Sequence, residues 1–316
     1  MSVNERRVDP FTGRSVIVAP GRRGLGAAKP GGLPEPEGRC PFCPGHEADT
    51  EPTLAQWPEA GEWQVRVVAN KYPVASQRDG WTSRGWHEVG IDARAHDVDL
   101  ADLSVEHAAA MLRLYRDRVR ALEAREGVRC VVPFRNRGRR AGSSQPHPHS
   151  QIVALEHVPA EIALRWERAR EHVERHGRPL HETELAREES EGARIVAASA
   201  HALVFCPYAS SRPYEIRIAP RAPRGGFASA TDEELEAIGA HLVDAYARLR
   251  AATPITDSNV IVRNPPVFAS GPAAAWHLDI LPRTGGDAGF ELATGEMIVV
   301  VPPEEAAARL RAARRA

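Results

Sequence analysis

The sequence predicts an α+β fold in which one unit, an antiparallel sheet covered by a helix, occurs twice in tandem. The first observation is the order of elements, because strand-like and helix-like segments follow one another in the same order in both halves of the 316-residue chain. The second is a repeated spacing. His149 follows Asn136 by thirteen positions, and His277 follows Asn264 by thirteen. We expect three segments along the chain: residues 1–158, a helical connection over 159–191, and 192–316.

Four strands and one helix are predicted in the first half. Apolar residues alternate with polar ones and are often β-branched or aromatic in four stretches, WQVRVVANKYP, WHEVGIDARAH, RCVVPFRNRG and HPHSQIVAL. Between the second and third stretches, apolar residues at helical spacing predict a helix from about Ser104 to Glu126. This helix is expected to cover one face of the sheet.

The second half repeats this order after a charged, helix-prone connection, of which WERAREHVERHG is the clearest part. Its strand-like stretches are HALVFCPYASS, RPYEIRIAP, SNVIVRNPP and AWHLDILPR. Between the second and third of these, a capping box formed by Thr231 and Glu234 predicts the start of a helix. In this alignment of the two halves, Asp279 takes the position of Gln151.

Composition restricts the partners and the compartment. The formal net charge of -1 provides no overall field for nucleic acid or an anionic membrane, so we expect phosphate recognition to be local and nucleic acid not to be a partner. The chain shows no charged-then-apolar leader and no apolar run long enough to span a membrane. Four cysteines in a chain of this length favour reduced thiols. We therefore expect a cytoplasmic protein.

Cys40 and Cys43 have the two-residue spacing that brings two thiolates onto one metal ion. A redox-active pair has the same spacing, but it normally starts a helix, whereas these flanks are rich in Pro and Gly. Metal binding is therefore favoured. The two missing ligands are expected from the histidines of the first half. The candidates are His96 and one of His147 and His149, with His46 and His87 as competitors.

The His147-Pro148-His149 motif is predicted to be extended, so both imidazoles lie on one side and Pro148 on the other. One ring can then bind a metal while the other attacks a substrate, although a pair of ordinary strand histidines has the same pattern. The preceding stretches RNRG and GSSQ favour a phosphate site, because Gly amides, Ser hydroxyls and Arg guanidinium groups bind phosphate.

These motifs carry a specific resemblance. CPFC, VRVVANKYP, FRNRG, GSSQPHPHSQ and GFELATGE resemble the galactose-1-phosphate uridylyltransferase family, a branch of the histidine-triad superfamily built from two histidine-triad-like halves. The matches run in order along nearly the whole chain. With GRSVIVAP and HEVGIDARAHDVDL, the pattern is most similar to the shorter branch that includes ADP-glucose:phosphate adenylyltransferases.

The resemblance implies a role for each matching residue. The ligands of one structural zinc ion would be Cys40, Cys43, His96 and His147. Catalysis would use His149 as the nucleophile and Gln151 as a hydrogen-bond donor to a phosphate oxygen. Nucleotide and phosphate binding would involve Asn70, Asn136, Gly138 and Ser144. Phe290 and Glu291 match a tail that reaches the sugar phosphate, in some members across a dimer interface, so a homodimer is implied.

The implied reaction exchanges a nucleoside monophosphate between a nucleotide sugar and either a sugar 1-phosphate or inorganic phosphate. It would proceed by ping-pong chemistry through a nucleotidyl-His149 intermediate. An ADP-glucose phosphorylase-type adenylyltransferase is an alternative within this class. A histidine-triad hydrolase is disfavoured by Gln151, since those hydrolases have a third histidine there. A zinc-stabilised protein that binds nucleotides without turnover is the remaining hypothesis.

The second half departs from the family pattern. It has no second Cys-x-x-Cys motif, and Ala275 occupies a position where a ligand histidine is common. We therefore expect one metal ion in the chain and a second half that relies on ordinary packing. His277 is predicted to pack in the strand or to point to solvent, with Asp279 as at most a weak partner.

Overall fold

The structure is a computed structural model that describes residues 4–23, 33, 38–223 and 225–313. The predicted α+β class is confirmed. The strands of this part of the chain are β1 (Glu5–Val8), β2 (Ser15–Val18), β3 (Thr53–Trp57), β4 (Val65–Ala69), β5 (Gly85–Ile91), β6 (Cys130–Arg137), β7 (His149–Leu155), β8 (Ile195–Ala198), β9 (Ala202–Phe205), β10 (Ile216–Pro220), β11 (Ser258–Arg263), β12 (His277–Pro282) and β13 (Met297–Val299). The helices are α1 (Val105–Glu123), α2 (Ala160–His176), α3 (Leu180–Glu191), α4 (Asp232–Ala252), α5 (Gly289–Thr294) and α6 (Pro303–Ala312).

Ten strands form one antiparallel sheet in the order β3-β4-β5-β7-β6-β11-β12-β10-β9-β8. The first five strands and the last five have the same order, mirrored about the centre. The two predicted units therefore share one sheet, joined where β6 pairs with β11. The sequence predicted the two units but did not predict that their strands join into a single sheet. The division at residues 158/159 and 191/192 stays a prediction.

The two predicted covering helices are present. Ser104 caps α1, with its hydroxyl accepting a hydrogen bond from the backbone N–H of His107, and Thr231 and Glu234 form the predicted capping box of α4. The two helices pack against each other on one face of the sheet. That face supplies fully buried residues such as Ile152 and Ile280, so a single core spans both halves.

Because side chains alternate along a strand, the residues between these core positions point to the opposite face. His149 and Gln151 lie there in the first half, and His277 and Asp279 occupy the equivalent positions in the second. Helices α2 and α3, from the predicted helical connection, cover this face in the second half. In the first half the same face bears a pocket.

A small second sheet consists of β1, β2 and β13. In this sheet β13 runs parallel to β2, so it joins the N-terminal and C-terminal parts of the described chain. Within the described ranges, no helix has the length and apolar character needed to cross a membrane.

Candidate active site and metal cluster

The four predicted metal ligands, Cys40, Cys43, His96 and His147, meet with their ligand atoms all within 4.8 Å of one another. Nδ1 of His96 lies 3.3 Å from Nδ1 of His147 and 3.3 Å from Sγ of Cys43. Sγ of Cys43 and Sγ of Cys40 lie 3.6 and 3.7 Å from Nδ1 of His147. Zinc bonds of about 2.0 to 2.3 Å to nitrogen and sulfur give a tetrahedron with edges of about 3.3 to 3.8 Å. These four separations fit that shape, so the cluster could bind a metal ion.

Local contacts orient the histidine ligands. The Nε2–H of His147 donates to the backbone oxygen of Ala93 at 2.8 Å, which leaves Nδ1 free to bind a cation. β5 ends at Ile91, earlier than the sequence suggested, and His96 lies in the turn that follows. His46, a competitor in the sequence, instead places its Nδ1 2.6 Å from the backbone oxygen of Cys40.

The thiol of Cys43 lacks the lowered pKa of a redox-active cysteine. Burial, together with the neighbouring Cys40, raises the pKa of the Cys43 thiol to about 11. A redox-active cysteine has a lowered pKa, because the thiolate is its reactive form. A bound cation would stabilise the thiolate form of both cysteines. Metal binding would therefore release protons from the thiols of this cluster.

His149 is the first residue of β7 and is 7% exposed. Its Nδ1 lies 2.9 Å from the backbone oxygen of His147. Since a carbonyl oxygen only accepts hydrogen bonds, Nδ1 carries the proton and Nε2 keeps its lone pair. Burial lowers the pKa of His149 below its usual value, so the ring is neutral at pH 7. A neutral imidazole with a free Nε2 is the form that nucleophilic attack requires.

The His-Pro-His backbone is anchored to a buried polar network. The carbonyl oxygen of Pro148 accepts a hydrogen bond from the backbone N–H of Asp92 at 3.0 Å. The carboxylate of Asp92 in turn accepts from the Tyr115 hydroxyl at 2.5 Å and from Nε of Arg135 at 2.8 Å. Tyr115 packs so close to Gly90 that a Cβ there would lie 2.4 Å from the ring. The network therefore fixes the segment that carries both histidines.

His149 and Gln151 open into one pocket. The pocket is also lined by Phe42, Asn70 and Ser144, so the structure brings together four of the predicted catalytic and nucleotide-binding residues. Sequence reasoning missed Phe42, whose ring centroid lies 5.6 Å from that of His149. Its position between the two cysteines of the CPFC motif was the available signal.

Asn70 has a structural role besides its place in the pocket. Its Oδ1 accepts a hydrogen bond from the backbone N–H of Tyr72 at 2.8 Å, and its own N–H donates to the carbonyl oxygen of His87 at 2.8 Å. Asn70 is therefore also a turn residue. The two roles are compatible, because the turn holds the loop at the rim of the pocket.

Four predicted binding residues do not line this pocket. Asn136 lies where the two halves meet and accepts a hydrogen bond from Nδ2 of Asn259 at 2.8 Å. Gly138 has a φ of 83°, and a Cβ there would lie 2.3 Å from the carboxyl carbon of Asp257, which explains the glycine without a ligand. Phe290 is 42% exposed on α5, and Glu291 caps that same helix.

The equivalent histidine of the second half, His277, lines a small cavity under α2, and Arg165 lines the same cavity. Nη2 of Arg165, from α2, lies 3.1 Å from Nε2 of His277, which is 3% exposed. Burial, reinforced by the nearby Arg217, holds the pKa of His277 well below its usual value. His277 is therefore a neutral, buried side chain, in agreement with the packing that was predicted for it.

A buried ion network lies next to His277. Arg217 donates to Asp279 at 2.9 Å and to Glu184 of α3 at 2.7 Å, and Arg263 donates to Asp279 at 2.9 Å. This half was expected to rely more on ordinary packing in place of a second ion, and on this face buried ion pairs contribute as well. The reason is that Asp279 sits where a glutamine stands in the first half, and a buried carboxylate needs cationic partners.

Comparison with known proteins identifies the family. The family model "Galactose-1-phosphate uridyl transferase, N-terminal domain" matches residues 1–159. An ADP-glucose phosphorylase from Arabidopsis thaliana is 29% identical over 97% of this chain and 92% of that protein. A galactose-1-phosphate uridylyltransferase from Streptomyces lividans is 29% identical over 70% of this chain and 57% of that protein.

The fold agrees with this assignment. The crystal structure of an ADP-glucose phosphorylase from Arabidopsis thaliana with bound ADP-glucose superimposes with a TM-score of 0.85, at 27% identity and 98% coverage of each chain. The family and the predicted enzyme class, nucleotidyltransferase, are confirmed by these relatives. The matches to the Arabidopsis thaliana protein and to the crystal structure cover nearly the whole chain. This chain belongs to the galactose-1-phosphate uridyl transferase family.

Proposed function

We propose that the protein exchanges a nucleoside monophosphate between a nucleotide sugar and a sugar 1-phosphate or inorganic phosphate, through a covalent bond to His149. The observation that carries this proposal is the state of His149. Its ring is neutral, its Nδ1–H is held by a backbone oxygen, and it opens into a pocket. The relatives act on substrates of this kind according to their names.

The proposed reaction has two displacements. Nε2 of His149 attacks the α-phosphorus of the nucleotide sugar and forms an N–P bond. The bond from that phosphorus to the bridging oxygen breaks, and the sugar 1-phosphate leaves with the electron pair. An oxygen of the acceptor phosphate then attacks the same phosphorus, and the N–P bond breaks to restore neutral His149.

The other pocket residues would stabilise the phosphate in both steps. The side-chain amide of Gln151 and the hydroxyl of Ser144 are hydrogen-bond donors that share the pocket with His149. Hydrogen bonds to a nonbridging oxygen lower the barrier when they strengthen as charge moves onto it. Asn70 would contact the nucleotide side of the substrate. Asn136 and Gly138 would support the phosphate-binding loop without touching the reacting atoms.

We propose zinc as the ion of the Cys/His cluster, because two thiolates and two imidazoles at tetrahedral separations suit it. Cys40, Cys43, His96 and His147 would hold it. The ion would have a structural role, because it would stabilise the backbone segment that carries His149. It would not contact the substrate.

A homodimer and a cytoplasmic location are also part of the proposal. Phe290 and Glu291 lie outside the pocket of their own chain, which is compatible with a tail that serves the site of a second copy. The apolar exposure of α5, where Leu292 is 75% exposed, supports the same idea.

Isotope exchange tests the reaction. In a ping-pong mechanism, labelled glucose 1-phosphate enters the nucleotide sugar with no other acceptor present, because each half-reaction is reversible by itself. We expect this exchange with UDP-glucose or ADP-glucose, and none in His149→Ala. His157→Ala, at an exposed histidine, is the control. Release of free nucleoside monophosphate without exchange would instead indicate a hydrolase.

A further inference from the structure

His87 makes several contacts that no proposed role in metal binding explains. It lies in β5 and is 6% exposed. Its Nε2 is 2.9 Å from Oε1 of Gln151, and its Nδ1 is 3.1 Å from the backbone nitrogen of Val74. Its backbone oxygen accepts the N–H of Asn70 at 2.8 Å. One residue therefore joins the pocket loop that starts at Asn70 to the side chain of Gln151.

These contacts define the tautomer of the ring. A backbone N–H can only donate, so the N–H of Val74 requires an unprotonated Nδ1. Burial lowers the pKa of His87, and the neutral ring then carries its single proton on Nε2. Nε2–H needs an acceptor. Asn70 does not provide one, because its Oδ1 is engaged by the N–H of Tyr72 and its amide nitrogen faces the ring at 3.1 Å.

The acceptor is Oε1 of Gln151, which fixes the orientation of that amide. A free glutamine can rotate its amide and present either oxygen or nitrogen to a ligand. With Oε1 bound to His87, the NH₂ group is the end left for the pocket. A phosphate oxygen needs a donor, so only this orientation assists the transfer.

We propose that His87 is a positioning residue that holds Gln151 as a hydrogen-bond donor to the transferred phosphate. This inference rests on the proposed function of Gln151. Because the same ring binds the loop of Asn70 through Val74, it also fixes the position of the nucleotide-binding side of the pocket relative to the phosphate-binding side.

Two substitutions at His87 separate its contacts. The amide of His87→Asn reaches the position of Nδ1, so it can accept from Val74 but cannot reach Gln151. The amide of His87→Gln reaches the position of Nε2 and can donate to Oε1 of Gln151. His201→Asn, at an exposed histidine, is the matched control.

The measurement is the single-turnover rate of nucleotide transfer to His149 with saturating nucleotide sugar. Complete loss of one preorganised donor slows such a step by about 100- to 1000-fold. Because His87→Asn frees the amide of Gln151 without removing it, we expect a smaller loss of about 10- to 100-fold, with KM changed less than about threefold. His87→Gln should recover most of that loss. In a Gln151→Ala background, His87→Asn should slow the reaction by less than about twofold, because the two act as one unit.

Additive losses in the double variant, or a His87→Gln protein no faster than His87→Asn, would overturn the proposal. Nitrogen-15 NMR of the histidine rings provides a readout independent of activity, with a protonated Nε2 and an unprotonated Nδ1 expected for His87. A protonated Nδ1 would also overturn it. If the native chain transfers no nucleotide to itself, the proposed function fails, and the ring tautomer and the Gln151 amide resonance then decide whether His87 holds that side chain.

Discussion

Nδ1 of His149 lies 2.9 Å from the backbone oxygen of His147, the residue whose own Nδ1 belongs to the Cys/His cluster. The proposed nucleophile and a proposed metal ligand are thus separated by one hydrogen bond. This relationship makes the ring of His149 depend on the backbone that the cluster holds. A structural ion in the cluster would then influence the rate of nucleotide transfer to His149 without contacting the substrate.

Loss of the ion should therefore reduce both stability and transfer. In Cys43→Ser, we expect metal content to fall and the rate of nucleotide transfer to His149 to drop by at least about tenfold, the scale seen when the shell around a metal site is disturbed. Metal content by mass spectrometry and the melting temperature are measured together. Cys130→Ala removes a buried thiol outside the cluster and serves as the control. Full metal content in Cys43→Ser would refute the ligand assignment.

The pKa of His149 predicts how transfer depends on pH. The neutral ring attacks, and burial lowers its pKa below the usual value near 6.5. The single-turnover rate should therefore stay constant from pH 8 to about pH 6.5 and decline only as pH falls through the lowered pKa. A rate that already declines between pH 8 and pH 7 would contradict a neutral, desolvated nucleophile.

The same shift affects stability. A buried histidine that stays neutral binds fewer protons in the folded chain than in the unfolded chain. The contribution of His149 to the free energy of unfolding should therefore be constant at pH values above its unfolded pKa. It should decrease as the pH falls below about 6.5. Urea unfolding of the native chain and of His149→Gln at pH 7.5 and pH 5.5 measures this. A pH dependence that is the same in both proteins would show that His149 does not contribute.

The two halves should differ in function. His277 occupies the position of His149, but Arg165 blocks its Nε2 and helices cover it. We expect His277→Gln to keep the rate of nucleotide transfer within about twofold of the native chain, since substitutions distant from a reaction rarely couple to it. Loss of nucleotide transfer in a His277→Gln protein that is still folded would show that the second half takes part in the chemistry.

Arg217 should be needed for stability. Arg217→Met leaves the buried carboxylates of Asp279 and Glu184 without this partner, and breaking a buried ion pair in this way costs about 3 to 5 kcal/mol. The control is Arg175→Met, which breaks an exposed pair with Glu171 and should change the free energy of unfolding by less than about 1 kcal/mol. Equal losses in the two variants, measured by urea unfolding, would show that the buried network is not stabilising.

Much of this architecture could be predicted from the sequence because the signals are local. Strand alternation and the capping box at Thr231 are local patterns, and the spacing between Asn136 and His149 is repeated between Asn264 and His277. The union of the halves could not be predicted, since pairing of β6 with β11 depends on which sheet edges meet. The Cys-x-x-Cys spacing also predicted Cys40 and Cys43 as metal ligands, whereas the choice of His96 and His147 among the histidines came from the family resemblance.

The remaining features depend on contacts between residues far apart in sequence. His87 was considered only as a possible metal ligand, and its contact with Gln151 exists because β5 and β7 are neighbours. The ion network of the second half arises because α2 and α3 fold back over β10 and β12. No local pattern specifies that path.

The most direct test of the central claim is covalent labelling. The purified chain is incubated without acceptor with UDP-glucose or ADP-glucose labelled at the α-phosphate, and the modified residue is located by peptide mass spectrometry. We predict an acid-labile, base-stable nucleotidyl group on His149 from at least one donor and none in His149→Ala. Label that persists in His149→Ala, or no label from either donor in protein that retains its metal, would contradict the account.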